Sequence, residues 1–193
     1  RSANPTRQMM EDHLAAIDNG KYGIAFASGM AAVDSCLKLL KTGDHVICSD
    51  DVYGGVSRYF NQILVNYDLY FTYVDSSVPA NVKNAIRKET ILIWADTPTI
   101  PLLKVTDLEA VGKIAKEHNL IFGVDSTFAT PVFLRPLEFG VDLVMHSTTK
   151  YISGHNQLIG EMVITNREDL FDKHKFVQKT IGAVPSPFDC WLT

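Results

Sequence analysis

Ile91-Leu92-Ile93-Trp94-Ala95, with Asp96 after it, is the stretch that decides the fold. A strand with one face in water alternates apolar with polar residues. A nearly continuous apolar run is instead the mark of a strand buried on both faces of a parallel sheet. Working outward, Leu120 to Val124 and Val141 to Met145 have the same character. Tyr22 to Ala27, Val46 to Cys48 and Leu69 to Val74 read as further strands, and Glu161 to Thr165 as a weaker one. Helical patterns lie between them. Met30, Val33, Leu37 and Leu40 share a face. Gly54-Gly55 opens a helix to about Val65, and Pro79 to Arg87 forms a short one. Thr106-Asp107-Leu108-Glu109 reads as a capping box ahead of Leu108, Val111 and Ala115. Asp169 to Thr180 places Leu170, Val177 and Ile181 inward. This repeated order predicts an α/β three-layer sandwich around a mostly parallel sheet.

Composition narrows the function classes. Of the 193 residues, 46% are hydrophobic, enough for a buried core. No apolar stretch approaches the ~18 residues of a membrane span, and no basic, apolar leader starts the chain. The net charge is −4 and Lys and Arg form no run, so neither nucleic acid nor a membrane is an expected partner. Cys36, Cys48 and Cys190 are odd in number and far apart, without a C-x-x-C pair. They read as free thiols in a reducing, cytoplasmic compartment, with no metal site. The chain starts at Arg1 without Met and ends at Thr193 behind Cys190-Trp191-Leu192, so one domain of a longer protein is expected.

In such sheets ligands sit beyond the carboxyl ends of the strands. Ser28, Asp50, Asp51, Asp96, Asp125 and Ser147 end strands and are the candidates. Ser28-Gly29-Met30 reads either as an N-cap with a turn glycine or as a phosphate cradle. Asp125 is either a turn cap or a site residue. Lys150, in Ser147-Thr148-Thr149-Lys150, is a solvated strand-end lysine or an amine able to form a Schiff base, more so if desolvated. Tyr53, before Gly54-Gly55, stacks on a planar ring or simply packs. His155 is a loop histidine. The same Ser-x-x-Lys spacing occurs in penicillin-recognising enzymes, but Lys41-Thr42-Gly43 precedes it in the wrong order and no Ser-Asp-Asn follows. No dinucleotide or P-loop glycine pattern is present. An anion cradle, an aromatic platform, a strand-end aspartate and a strand-end lysine in succession are the parts a pyridinium cofactor needs.

The ordered stretches Arg1-Ser2-Ala3-Asn4-Pro5-Thr6, Phe26-Ala27-Ser28-Gly29-Met30-Ala31-Ala32, Asp50-Asp51-Val52-Tyr53-Gly54-Gly55 and Asp96-Thr97-Pro98-Thr99 carry a resemblance. Val124-Asp125-Ser126-Thr127-Phe128, Ser147-Thr148-Thr149-Lys150-Tyr151 and Gly182-Ala183-Val184-Pro185-Ser186-Pro187-Phe188-Asp189 continue it. The chain resembles, over nearly its whole length, the pyridoxal-phosphate enzymes of cysteine and methionine metabolism. The resemblance implies an aspartate aminotransferase-like (fold type I) large domain over residues 1–193, without an N-terminal arm and a C-terminal domain. It implies pyridoxal 5'-phosphate on Lys150 as a Schiff base, Asp125 against the ring nitrogen and Tyr53 on the ring. Ser28, Gly29, Met30, Ser147 and Thr149 would hold the phosphate, Arg1 that of a neighbouring subunit, and Arg58 would lie near a sulfur amino-acid substrate. The assembly implied is a homotetramer, a dimer of dimers.

Within the family, the stretch from Gly182 to Cys190 is most similar to the cystathionine γ-lyase branch. That implies α,γ-elimination on cystathionine, or on cysteine, in transsulfuration. The alternatives are γ-replacement by a cystathionine γ-synthase and a cofactor-binding paralogue without activity. Four positions depart from the family's pattern. Ile100 stands where relatives have asparagine and donates no hydrogen bond. Ser126 replaces an asparagine, Gln157 an aspartate, and Glu161 a small or apolar residue.

Overall fold

A computed structural model describes residues 3–193. Its centre is a seven-stranded sheet in the order β1-β7-β6-β5-β4-β2-β3. The strands are β1 (Tyr22–Phe26), β2 (His45–Ser49), β3 (Tyr70–Val74), β4 (Thr90–Asp96), β5 (Ile121–Asp125), β6 (Leu143–His146) and β7 (Glu161–Thr165). Neighbours from β3 to β6 pair in parallel. β7 runs antiparallel to both β1 and β6, so it alone opposes the rest. That reversal brings Glu161, the first residue of β7, beside Phe26, the last of β1.

Period-two alternation sorts the side chains into two cores. Ala25, Ile93, Phe122 and Val144 face one side, under α1 (Pro5–Ile17), α4 (Pro79–Asn84), α5 (Leu108–Glu117) and α8 (Pro187–Leu192). Ile24, Leu92, Trp94 and Met145 face the other, under α2 (Gly29–Leu37), α3 (Gly54–Gln62) and α7 (Glu168–Ile181). A short α6 (Thr130–Phe133) follows β5. The expected three-layer α/β sandwich is therefore present.

Several local expectations need correction. The cap of α5 is Asp107, whose Oδ1 accepts from the Ala110 amide at 3.0 Å. Thr106 is not available for capping: its hydroxyl pairs with Ser76 (2.8 Å) and its amide donates to Thr97 Oγ1 (3.1 Å). On α7 the inward residues are Leu170, His174 and Gln178, while Ile181 is exposed. His174 Nδ1 lies 2.7 Å from Ser35 Oγ, and Gln178 donates to the Ala25 carbonyl, so polar partners decide that face. The sequence reading contains neither α1 nor α8. Glu161 to Thr165, expected as a weak strand, is buried along its whole length inside the sheet.

Candidate active site

Because six strands share one direction, the carboxyl ends of β1, β4, β5 and β6 collect at one end of the sheet, and the start of β7 joins them. A cavity of about 480 Å³ opens there. Ser28, Gly29, Met30, Tyr53, Asp125, Ser147, Thr149 and Lys150 all line it. Thus these candidates meet in one place, although the sequence separates Ser28 from Lys150 by more than half the chain. A larger groove of about 670 Å³, lined by Lys113, Lys116, Glu138 and Arg167, contains none of these residues.

Local structure explains how each group is held. Ser28 is extended and caps α2, its Oγ accepting from the Ala31 amide at 3.2 Å. The other first-turn amides have no partner within the helix, which makes that end an anion site. Ser147 is positioned through its amide, which donates to Thr127 Oγ1 at 2.8 Å. The Thr149 hydroxyl sits between the carbonyl and the amide of Gly160, at 3.1 and 3.0 Å. Thr127 also donates its amide to Asp125 Oδ1 (2.9 Å), so one threonine ties β5 to the loop after β6. The sequence reading missed Thr127; an Asp followed two residues on by a backbone donor is a turn signal it contained.

Tyr53 folds its ring back over Gly55. A Cβ at Gly55 would come within 2.4 Å of Tyr53 Cε1, so glycine is required for this ring position. The Tyr53 amide donates to Asp96 Oδ2 at 2.9 Å. Lys150 belongs to the wide helical turn Thr148–Ile152. It is exposed in this chain.

Three carboxyl groups crowd the cavity floor. Asp96 is pushed up to about 8, first by burial and next by the charge of Asp125. Burial also raises Asp125, against the hydrogen bonds from Thr127 and the charge of His146. Glu161 is held well above the carboxylate range by burial and by Asp125. Such a cluster favours protons and cations at the floor.

Other expected residues lie elsewhere. Arg58 is exposed on α3, with Nη1 3.7 Å from where a Cβ on Gly54 would stand, and does not line the cavity. Arg1 lies outside the described residues. Asp51 accepts from Thr99 Oγ1 and from the Leu102 amide, and Asp50 pairs with Lys104 at 3.0 Å. Both therefore brace the loop after β4. His155 Nδ1 lies 2.8 Å from the Ser153 carbonyl, a loop contact. Among the departures, Ile100 and Glu161 line the cavity, Ser126 is buried and Gln157 is exposed.

The donor set fits a phosphorylated pyridine aldehyde. First-turn amides and two hydroxyls suit a phosphate, a carboxylate suits a ring cation, a tyrosine ring suits stacking, and an amine suits an aldehyde. No group of acidic, histidine or cysteine side chains among the described residues could hold a metal ion. No described helix is long and apolar enough to cross a membrane.

Comparison with known proteins agrees. The family model described as Cys/Met metabolism PLP-dependent enzyme matches residues 1–193. A cystathionine gamma-lyase of Dictyostelium discoideum is 50% identical over 192 residues, 100% of this chain and 50% of that protein. A probable cystathionine gamma-synthase of Herpetosiphon aurantiacus is 46% identical over 192 residues, 100% of this chain and 60% of its own. The crystal structure of cystathionine gamma-lyase from Lactobacillus plantarum complexed with L-serine superposes with a TM-score of 0.97 at 41% identity. It is matched over 99% of this chain and 50% of its own. The chain thus spans about half the length of most of these relatives.

Proposed function

Because this chain belongs to the Cys/Met metabolism PLP-dependent enzyme family, we propose that it is the cofactor-binding large domain of a carbon–sulfur lyase. The reaction is α,γ-elimination: cystathionine and water give cysteine, 2-oxobutyrate and ammonia. The observation that carries the reading is the meeting of Lys150, Asp125, Tyr53 and the Ser28–Met30 cradle in one cavity. Pyridoxal 5'-phosphate, when bound, supplies an electron sink for the carbanion formed at the substrate's α-carbon.

The chain's own groups divide the remaining work. Lys150 would hold the cofactor through its Nζ, and its amine, when free, would serve as the base that takes the α-proton. Asp125 would hold the ring nitrogen and, as a carboxylate, would keep a proton there, a pairing that would offset its burial. Tyr53 would stack on the ring, and its phenol would be placed to give a proton to the departing sulfur. The amides of Gly29 and Met30, with Ser28, Ser147 and Thr149, would hold the phosphate and so set the distance from Lys150 to the substrate. Arg58 is assigned to the substrate carboxylate side. Arg1 is assigned to the phosphate of a neighbouring subunit in a homotetramer built as a dimer of dimers. Exposed Leu102, Leu103, Val105 and Phe133 support a covered surface of that kind.

A second reading, γ-replacement on an activated homoserine, is favoured by the relative named as a synthase. The test measures 2-oxobutyrate released from cystathionine, and cystathionine formed from activated homoserine and cysteine, by the protein at its natural length. Release with little formation is expected; the reverse would replace lyase by synthase. Borohydride reduction with pyridoxal 5'-phosphate is expected to fix the cofactor's mass on Lys150. Its absence there would overturn the assignment of the amine.

A further inference from the structure

Glu161 lines the cavity, and the mechanism gives it no task. Its place follows from topology. β7 opposes its neighbours, so its first residue reaches the end of the sheet where the parallel strands finish. The residue is 2% exposed, and among the described residues its Oε1 has no hydrogen-bond partner. Its Oε2 lies 2.9 Å from the position a Cβ would take on Gly29. The carboxyl group therefore sits directly under the first turn of α2, where the anion cradle is built, with the Ser147 hydroxyl beside it.

A carboxylate there would confront a phosphate with charge of the same sign at a buried site, which is costly. A carboxylic acid has an O–H to donate instead. We propose that Glu161 is a further member of the anion cradle, holding the cofactor's phosphate as a neutral acid that donates a hydrogen bond, so that cofactor affinity falls as rising pH removes its proton. The inference rests on the pyridoxal-phosphate reading of the cavity.

The surroundings favour the neutral form. Burial acts first, followed by Asp125 on β5; Asp96 on β4 adds to it, while Ser147 and Lys150 after β6 pull the other way. From α2 the facing titratable group is Cys36, a thiol that burial keeps protonated. On β6, His146 lies 3.4 Å from buried Asp18. The sign follows from the raised position of Glu161. Below it the acid donates to phosphate; above it the carboxylate repels phosphate. A single linked proton raises Kd by up to about tenfold per pH unit.

The test is equilibrium dialysis of the cofactor-free protein at its natural length, across the neutral and alkaline range. Wild type, Glu161→Gln and Glu161→Ala are each titrated with pyridoxal 5'-phosphate and with pyridoxal, which lacks the phosphate. The glutamine amide donates but does not titrate. Glu161→Gln is expected to lose about one proton of the pH slope for pyridoxal 5'-phosphate and to match wild type for pyridoxal. Glu161→Ala, with no donor, is expected to bind pyridoxal 5'-phosphate about three- to tenfold more weakly than Glu161→Gln. Equal slopes in wild type and Glu161→Gln would overturn the inference while leaving the cofactor reading intact. So would the same change of slope with pyridoxal, because Glu161 would then act at the ring. Failure of wild type to take up either compound would overturn the cofactor reading itself, and this inference with it.

Discussion

Glu11 and Glu161 are both buried glutamates next to β1, and they are held in opposite ways. Glu11, on α1, accepts from the Ala25 amide at 2.9 Å, from Lys175 at 2.8 Å and from Gln178 at 3.4 Å, with Arg7 Nε at 3.6 Å. β1 is an edge strand. Glu11 takes its outward amide and Gln178 its outward carbonyl, so two side chains close an edge that would otherwise offer itself to another strand. Glu161 is as deeply buried, yet one of its oxygens has no partner among the described residues. Burial alone does not separate a structural carboxylate from one kept for a ligand. Whether the carboxylate's partners belong to the chain does.

Removing each glutamate should break the comparison at its strongest point. Glu11→Ala leaves the strand-edge amide of Ala25 without its acceptor and takes the carboxylate away from Lys175. It is expected to cost about 1–3 kcal/mol, read as a lower urea midpoint at unchanged slope. A loss below about 1 kcal/mol would show that the edge is held by something else.

A smaller effect sharpens the comparison through pH. In the cofactor-free protein Asp96 sits at about 8, raised by burial and by Asp125, and Glu161 is raised too. The folded state therefore keeps protons that the unfolded chain releases from about pH 4 upward. Their contribution to stability is full below the ordinary carboxylate range and is lost as pH rises through the folded values. Unfolding free energy is expected to fall across that window by up to about 1.4 kcal/mol per pH unit for each proton involved. Glu161→Gln is expected to flatten the fall. Denaturation curves at several pH values decide it, and an unchanged slope would place the pH dependence wholly on the aspartates.

The same contrast explains what the sequence made legible. Ile91 to Ala95 announced a doubly buried strand because burial on both faces leaves no alternation to misread. The site end followed from strand direction, and its members from the order Ser28, Tyr53, Asp125, Lys150. α1 stayed hidden even though Asn4 caps it and Pro5 opens it, because its buried side chains include Arg7 and Glu11 and its apolar period is broken. α7 was read with the wrong face for the same reason, since His174 and Gln178 turn inward to polar partners. Glu161 stood out as an unusual residue, but only the reversed direction of β7 puts it under the cradle. Strand direction is set by long-range pairing, which a local pattern does not carry.

The smallest effect tests that placement directly. A methyl group on Gly29 would stand 2.9 Å from Glu161 Oε2, closer than carbon and oxygen comfortably approach. The oxygen is at the free end of a flexible side chain, so the carboxyl can swing away at modest cost. Gly29→Ala should therefore destabilise the wild type more than it destabilises a Glu161→Ala background, where the obstructing oxygen is gone. Residues in contact show such coupling in a double-mutant cycle, here expected at about 0.5 kcal/mol. Helix propensity favours alanine over glycine equally in both backgrounds and cancels. Additive effects would mean that Glu161 does not rest against the first turn of α2, and the contrast with Glu11 would then reduce to a difference in partners without a difference in purpose.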